Sequence, residues 1–268
     1  MQEIKCCFDK IKEKLKSGKK LLLMLDFDGT ISPIVPTPEL AYLPAETRAY
    51  LKKINKFFPV IIISGRSLDV VRKKVGVEDF VYAGSHGLEW LIGEKIKCKK
   101  VSKHIIKDLE KIEEDFKILA FKYPKLIIEK KLFSVALHYR FVSTQKLSNF
   151  KKDLKSLLKN VSENHNLKLF WDKKTVDIVP QLNWNKGSVV NLIQKHFKKK
   201  FKKEIFSIYI GDSKTDEDAF RVIGEKGITI RVGKSNKSSA QYYLKNQEQV
   251  VKFLNWMVKN VAEDEIHR

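Results

Sequence analysis

Two carboxylates stand at the end of an apolar run in the segment LLLMLDFDGT, where Asp26 and Asp28 are two residues apart. On extended backbone that spacing aims both side chains at one locus. Such a pair suits the hydrolysis of a phosphate monoester, a reaction that needs acceleration of up to about 10²¹-fold. One carboxylate can attack phosphorus and form an aspartyl-phosphate, dividing a difficult step into two easier ones. The other can protonate the leaving oxygen, then deprotonate the water that cleaves the intermediate. Gly29 lets the backbone turn sharply beside the phosphate, and Thr30 can donate a hydrogen bond. Read alone, the same residues make a capped turn after a buried strand.

Three further segments supply what that chemistry needs. Ser64, in IIISGRS, offers a hydroxyl to a phosphoryl oxygen, with Gly65 keeping the turn open. Lys186, in NWNKGSVVNLI, stands just before a helix expected to begin near Ser188. An ammonium and a helix N-terminus together favour a phosphate and its transition-state charge. The segment YIGDSKTDEDAF crowds Asp212, Asp216, Glu217 and Asp218 into an otherwise basic chain, a repulsion that a cation offsets. Mg²⁺ takes a few carboxylates, waters and a phosphate oxygen in octahedral geometry. Its expected protein ligands are Asp26, Asp212 and the carbonyl of Asp28, with Asp216 supporting them from behind. Each segment also has an ordinary reading: a helix cap, a solvated lysine, or an acidic first turn matched to the helix dipole.

The elements that must position these groups are legible as apolar runs. Residues 21–25, 60–63, 80–83, 205–210 and 228–232 are such runs, each ending at a polar residue or glycine. Near-continuous apolar runs of this length read as strands buried on both faces of a parallel sheet. Helical spacing of apolar residues marks 44–57, 68–75 and 188–197 between them. The alternation predicts an α/β fold with a doubly wound, Rossmann-like parallel sheet. Ligands of such sheets bind beyond the carboxyl ends of the strands, where Asp26, Ser64 and Asp212 would meet.

The middle of the chain reads differently. Residues 105–120 and a lysine-rich stretch at 145–161 read as helices, and 126–128, 167–171 and 175–179 read as strands. Residues 133–140 alternate, placing Phe133, Val135, Leu137 and Tyr139 on one face and Ser134, Ala136, His138 and Arg140 on the other. That pattern suits an antiparallel sheet with one open face. An inserted α+β cap domain is therefore expected at 93–180, with the core built from 1–92 and 181–268.

The four chemical segments together resemble the signature of the haloacid-dehalogenase superfamily. The resemblance implies Asp26 as nucleophile, Asp28 as acid/base, Ser64 and Lys186 as phosphate ligands, and Asp212 as metal ligand. A narrower resemblance covers nearly the whole chain. DFDGTISPIV, PVIIISGRSLDVVRKKVG, YAGSHGLEW, IEKKLFSVALHYR, VDIVPQLNWNKGSVV and GDSKTDEDAF are similar to the trehalose-6-phosphate phosphatases. In that family the inserted domain is a lid that recognises the disaccharide. Position by position, Glu129, Lys131 and Arg140 fall where its sugar ligands lie, and Arg66 and His86 match core positions near the substrate. Two departures stand out: Asp177 replaces a glutamate usual in the strand before the catalytic lysine, and Ser213 replaces the second aspartate of a common GDD.

Composition bounds the rest. No apolar run in the 268 residues approaches the roughly 20 needed to span a bilayer, and the opening MQEIKCCFDKIKEKLK carries no apolar leader. A cytoplasmic protein is expected, without membrane association. Cys6, Cys7 and Cys98 form neither a disulfide framework nor a zinc motif. The net charge of +21 fits either nucleic-acid binding or a basic surface that steers anionic substrates. The lysines are spread along the chain without a nucleic-acid motif, which favours the second. The expected activity is thus Mg²⁺-dependent hydrolysis of trehalose 6-phosphate by a monomer, with trehalose-6-phosphate synthase as a functional partner. The alternatives are another phosphorylated sugar, such as sucrose phosphate or a glycosyl-glycerate phosphate, or a non-catalytic sugar-phosphate sensor.

Overall fold

A computed structural model describes residues 2–3, 7–163, 166–172 and 174–262; Cys6 lies outside them. The chain divides into two compact units, one of Met1–Cys98 with Trp184–Arg268 and one of Lys99–Asn183. The first unit opens with β1 (Gln2–Glu3), α1 (Phe8–Lys16), β2 (Lys20–Leu25), α2 (Ala45–Asn55) and β3 (Val60–Ile63). It continues through α3 (Leu68–Val75), β4 (Val81–Gly84), β5 (Glu89–Ile92) and β6 (Lys95–Cys98). The second unit holds α4 (Lys103–Lys122), β7 (Ile127–Lys130), β8 (Val135–His138), α5 (Thr144–Glu163), β9 (Leu167–Asp172) and β10 (Thr175–Pro180). The first unit resumes with α6 (Lys186–Phe201), β11 (Ile205–Gly211), α7 (Asp216–Ile223), β12 (Ile228–Val232), β13 (Tyr242–Leu244) and α8 (Gln247–Met257).

Among the described residues the large sheet has nine strands in the order β1-β13-β12-β11-β2-β3-β4-β5-β6. Pairing is parallel from β1 to β4 and antiparallel at β5 and β6. Alternate residues of β2 feed two cores. Leu21, Leu23 and Leu25 pack with residues of α1, α2, α3 and α8, whereas Leu22 and Met24 pack with residues of α6 and α7. Both faces of the sheet are covered, so every position of the run is apolar, and each such side chain contributes about 1.5–3 kcal/mol by leaving water. From β2 the chain winds to β3 and β4 on one side, while β11, β12 and β13 lie on the other. The winding direction therefore changes between β2 and β11, which pair from Lys20↔Ile205 to Leu25↔Ile210. A ligand crevice forms at such a switch point, and Asp26 and Asp212 emerge there on neighbouring strands.

The smaller unit has a four-stranded antiparallel sheet in the order β7-β8-β10-β9. Val135, Leu137, Val176 and Ile178 turn one face into a core with Ile105, Leu109, Phe116, Phe150 and Leu154 from α4 and α5. On the other face, Glu129, Ala136, Asp177 and Phe170 stand in one row across the strands.

Boundaries differ from the sequence reading at three places. The divisions fall at 98/99 and 183/184 where 92/93 and 180/181 were expected, the first because Lys95–Cys98 turn back at Gly93 (φ 65°) and pair with β5. That strand is exposed at all four positions, so it carries no apolar run to betray it. Helix α6 begins at Lys186, not near Ser188, because the Asn185 side chain accepts from the Ser188 amide at 3.0 Å and caps it. No helix among the described residues is long and apolar enough to cross a membrane.

Gly84 closes β4 on ordinary extended backbone (φ −108°), yet a Cβ there would overlap the main chain of Leu68 at the start of α3. Gly84→Ala should therefore destabilise the protein by about 1–3 kcal/mol through overpacking alone. Urea unfolding midpoints of the two proteins measure this, and coincident midpoints would show that α3 is free to shift.

Candidate active site

The edge of the sheet at the switch point is built on a buried ammonium. Asp26 leaves β2 with its amide donating to Ile210 O at 2.9 Å, which fixes it beside β11. Lys186, the first residue of α6, is 2% exposed and donates to Asp26 Oδ1 and Asp216 Oδ1, each at 2.7 Å. Asp216, the fully buried first residue of α7, also accepts from Tyr209 Oη at 2.7 Å, Ser213 N at 2.9 Å and Ser213 Oγ at 2.7 Å. A charge this deep is tolerated only when paired and hydrogen-bonded, and here it is both. Gly211 makes the room: a Cβ there would overlap the Asp216 carboxyl.

The two carboxyls that share this ammonium differ in character. Burial raises the Asp26 pKa well above the carboxylate range; Lys186 opposes this, while Asp216 and Asp212 reinforce it. Burial acts the same way on Asp216, but Lys186 and the two Ser213 donors outweigh it and hold that carboxyl low. Burial alone would discharge Lys186, yet Asp216 and Asp26 raise its pKa, so it stays an ammonium. The two carboxyls that share Lys186 at equal distance are thus shifted in opposite directions. Asp26, Asp212 and Asp216 each offer an oxygen within 4.8 Å of the others. Lys186 pairs with two of these three carboxylates, Asp26 and Asp216. Gly29, at φ 76°, brings the main chain against Asp212, since a Cβ would overlap Asp212 Oδ2. Three converging carboxylates supply hard oxygen donors of the kind that Mg²⁺ takes.

The remaining core residues form a second cluster. Arg66 holds Asp28 in a fork, Nε to Oδ2 at 2.8 Å and Nη2 to Oδ1 at 2.7 Å. Ser64 is fully buried and its Oγ accepts from Arg66 N at 3.1 Å. The turn after β3 is tied to the turn after β4, as Ser85 N donates to Arg66 O and His86 N to Ser64 O. Ser85 and His86 are both left-handed, at φ 49° and 57°, a conformation costing roughly 1–3 kcal/mol per residue and concentrated at functional sites. Ser85 Oγ secures the turn by donating to buried Glu89 at 2.6 Å. The His86 ring covers Gly65, where a Cβ would lie 2.7 Å from Cε1. Thr30 is fully buried, and its hydroxyl has no hydrogen-bond partner among the described residues.

In the smaller unit, Lys131 Nζ donates to Asp177 Oδ2 at 3.0 Å, with side chains only 8% and 14% exposed. Glu129 Oε2 lies 3.1 Å from His138 Nε2, and His138 Nδ1 lies 3.1 Å from Thr175 Oγ1. Glu129 and Lys131 are therefore held in place on the sheet. Arg140 is exposed on the turn after β8.

Tyr209 escapes sequence reasoning. Tyr209 sits inside an apolar run, where an aromatic reads as core, and its hydroxyl has no local signal. Ser213 stands three residues before Asp216, and that spacing of a helix start could have exposed it as a partner.

Comparison with known proteins matches residues 24–249 to the family model described as trehalose-phosphatase. Probable trehalose-phosphate phosphatase 4 of Oryza sativa subsp. japonica is 34% identical over 263 residues, covering 94% of this chain and 69% of that protein. Trehalose-phosphate phosphatase B of Arabidopsis thaliana is 34% identical over 273 residues, covering 96% and 72%. Among solved structures, the C-terminal domain of the C. albicans trehalose-6-phosphate phosphatase shares the fold, with a TM-score of 0.79, 23% identity, and coverage of 94% of this chain and 97% of that one. The matched span includes both carboxylate clusters, the ammonium between them and the whole of the smaller unit, and the chain belongs to the trehalose-phosphatase family.

Proposed function

We propose that this enzyme hydrolyses trehalose 6-phosphate to trehalose and inorganic phosphate through an aspartyl-phosphate on Asp26. The observation that carries the reading is the buried Lys186 bridging Asp26 and Asp216 at the switch point, inside the span that matches the family. Asp26 attacks phosphorus while the ester bond to the sugar oxygen breaks and Asp28 delivers a proton to that oxygen. Asp28, now a carboxylate, takes a proton from the water that attacks phosphorus. The bond to Asp26 breaks, inorganic phosphate leaves, and Asp28 again holds a proton. Lys186, fixed from both sides, and the Ser64 hydroxyl offer donors to the phosphoryl oxygens. Mg²⁺, held by Asp26, Asp212 and the Asp28 carbonyl, would offset the repulsion between these carboxylates and a dianionic ester. Asp216 supports this arrangement by holding Lys186 and the Ser213 turn.

The smaller unit carries sugar recognition in this reading, with Glu129, Lys131, Arg140 and Asp177 as ligands to hydroxyls. Arg66 and His86 border the phosphate end, with Thr30 and Gly65 lining it. The enzyme acts as a cytoplasmic monomer on substrate made by a trehalose-6-phosphate synthase, without a nucleic-acid or membrane partner.

Asp26→Asn should abolish phosphate release while circular dichroism and melting stay those of the wild type, because an amide matches the carboxylate in size but is a far poorer nucleophile. A folded Asp26→Asn protein releasing phosphate within about tenfold of wild type would overturn the covalent mechanism, given the roughly 10²–10⁴-fold that a positioned acid/base alone supplies.

Chelation should remove activity and Mg²⁺ restore it. Ca²⁺ should restore far less, since its larger shell of six to eight oxygens can draw in both oxygens of a carboxylate. Phosphate release from dialysed enzyme titrated with each ion decides this, and equal rescue by the two ions would count against the assignment.

Glu129→Ala and Arg140→Ala should each cost about 1.5–3 kcal/mol in kcat/KM for trehalose 6-phosphate, the loss of one or two charged hydrogen bonds. That is a fall of about 10- to 150-fold. A small aryl phosphate offers these residues nothing, so its turnover should change little. Equal losses on both substrates would place the damage in the fold, and no loss on either would remove these residues from substrate recognition.

A further inference from the structure

The Arg66 guanidinium is committed on three sides. Its Nε and Nη2 donate to the two oxygens of Asp28, its Nη1 donates to Pro38 O at 3.0 Å, and its Cζ lies 5.7 Å from the centroid of the Phe27 ring. The residue is 7% exposed, and its side chain 9% against 46% for that of Asp28. Its main chain is fixed as well, with the amide on Ser64 Oγ and the carbonyl on Ser85 N. Planar, bidentate pairing of this kind sets the orientation of a carboxylate as well as attracting it. Each Asp28 oxygen still keeps a second lone pair, and the acid is the more open member of the pair.

We infer that Arg66 is a positioning residue for Asp28: it acts through the acid/base and is not itself a ligand to the sugar. The inference rests on the reading of Asp28 given above. In aspartyl-phosphate formation the ester oxygen departs with the electron pair of the P–O bond and takes the proton from Asp28. An alkyl alcohol is a poor leaving group and needs that proton. A nitrophenol leaves readily without it. Misorienting Asp28 should therefore harm esters of alkyl alcohols and spare nitrophenyl esters.

The test uses kcat/KM, which reports steps up to the first irreversible one and so excludes hydrolysis of the aspartyl-phosphate. Wild type, Arg66→Met, Arg66→Lys and Asp28→Asn are compared on trehalose 6-phosphate, glycerol 1-phosphate and p-nitrophenyl phosphate. Acid catalysis is typically worth about 10²–10⁴-fold, so Arg66→Met should lose about 10- to 100-fold on both alkyl esters. It should lose at least about tenfold less on the nitrophenyl ester, with the same leaving-group pattern in Asp28→Asn. The Asp28→Asn, Arg66→Met double mutant should be no worse than Asp28→Asn alone, as expected for groups acting as a unit. Arg66→Lys keeps the charge but loses the fork and should fall on the same side.

A loss confined to trehalose 6-phosphate would make Arg66 a sugar ligand and overturn the inference. Equal losses on all three esters, together with a lowered melting temperature, would make Arg66 merely structural and overturn it too. If Asp28→Asn shows the leaving-group pattern and neither Arg66 variant does, the acid/base reading survives and the positioning role falls. If Asp28→Asn lacks the pattern, both fall together.

Discussion

Lys186 is the residue around which the core had to be assembled. An ammonium taken out of water costs several kcal/mol after relaxation, and only well-aligned carboxylates recover that. Its two partners come from different elements, Asp26 from the end of β2 and Asp216 from the start of α7. The bridge therefore fixes where α6 begins, how closely α6 approaches α7, and how far β2 extends beside β11. Gly187 serves the same end, because a Cβ there would overlap the carbonyl of Asp218 in α7. The Asn185 cap sets the first turn of α6, so the lysine enters the site from a rigid platform.

Two neighbouring carboxylates with different supports then acquire different characters. Asp216 is wrapped by Lys186, Tyr209 and Ser213 and stays ionised. Asp26 accepts from the ammonium at 2.7 Å and is pushed up by burial and by its acidic neighbours. Positive charge arriving at Asp26 is thus rewarded by the protein. The same logic of commitment appears on the smaller unit, where Lys131 and Asp177 hold each other and Glu129 is steadied through His138 and Thr175. Paired charges of this sort lose little further conformational entropy when a ligand arrives, since their rotamers are already chosen.

How far the sequence carries the argument depends on which physical signal each feature leaves. Strands buried on both faces leave unbroken apolar runs, and β2, β3, β11 and β12 stand where those runs are. The alternation of 133–140 survives only in part: Val135, Leu137 and Tyr139 join the core of the smaller unit, but Ser134 and Ala136, expected on an open face, are buried as well. The exposed strand β6 and the short strands β1 and β13 leave no such run, and β1 pairs with a strand some 240 residues away, Gln2 facing Tyr242. Asp26, Lys186 and Asp216 were legible as types at strand and helix ends, but their joining is tertiary. Nothing in the local sequence says that Lys186 points between two aspartates, that Tyr209 turns its hydroxyl to one of them, or that Arg66 grips Asp28. Glycines spoke more plainly: Gly29 and Gly65 sit where a side chain would collide with Asp212 and His86.

The switch point between β2 and β11 also shapes how the molecule must come into being. Lys186 and Asp26 are 160 residues apart, and in sequence Lys99–Asn183 separates the two segments that build the large sheet. Extending a closed loop is cheap at equilibrium, about 0.6 kcal/mol per doubling, so a whole unit can be housed there without undoing the sheet. The cost falls on time instead, because contacts of such long range slow folding. During synthesis β2, β3 and β4 emerge long before β11 exists to cover the open side of β2. Until residues 205–210 have left the ribosome, the nascent chain carries an unsatisfied apolar edge and a lone Asp26, and a chaperone that shields that edge would have its greatest effect in this interval.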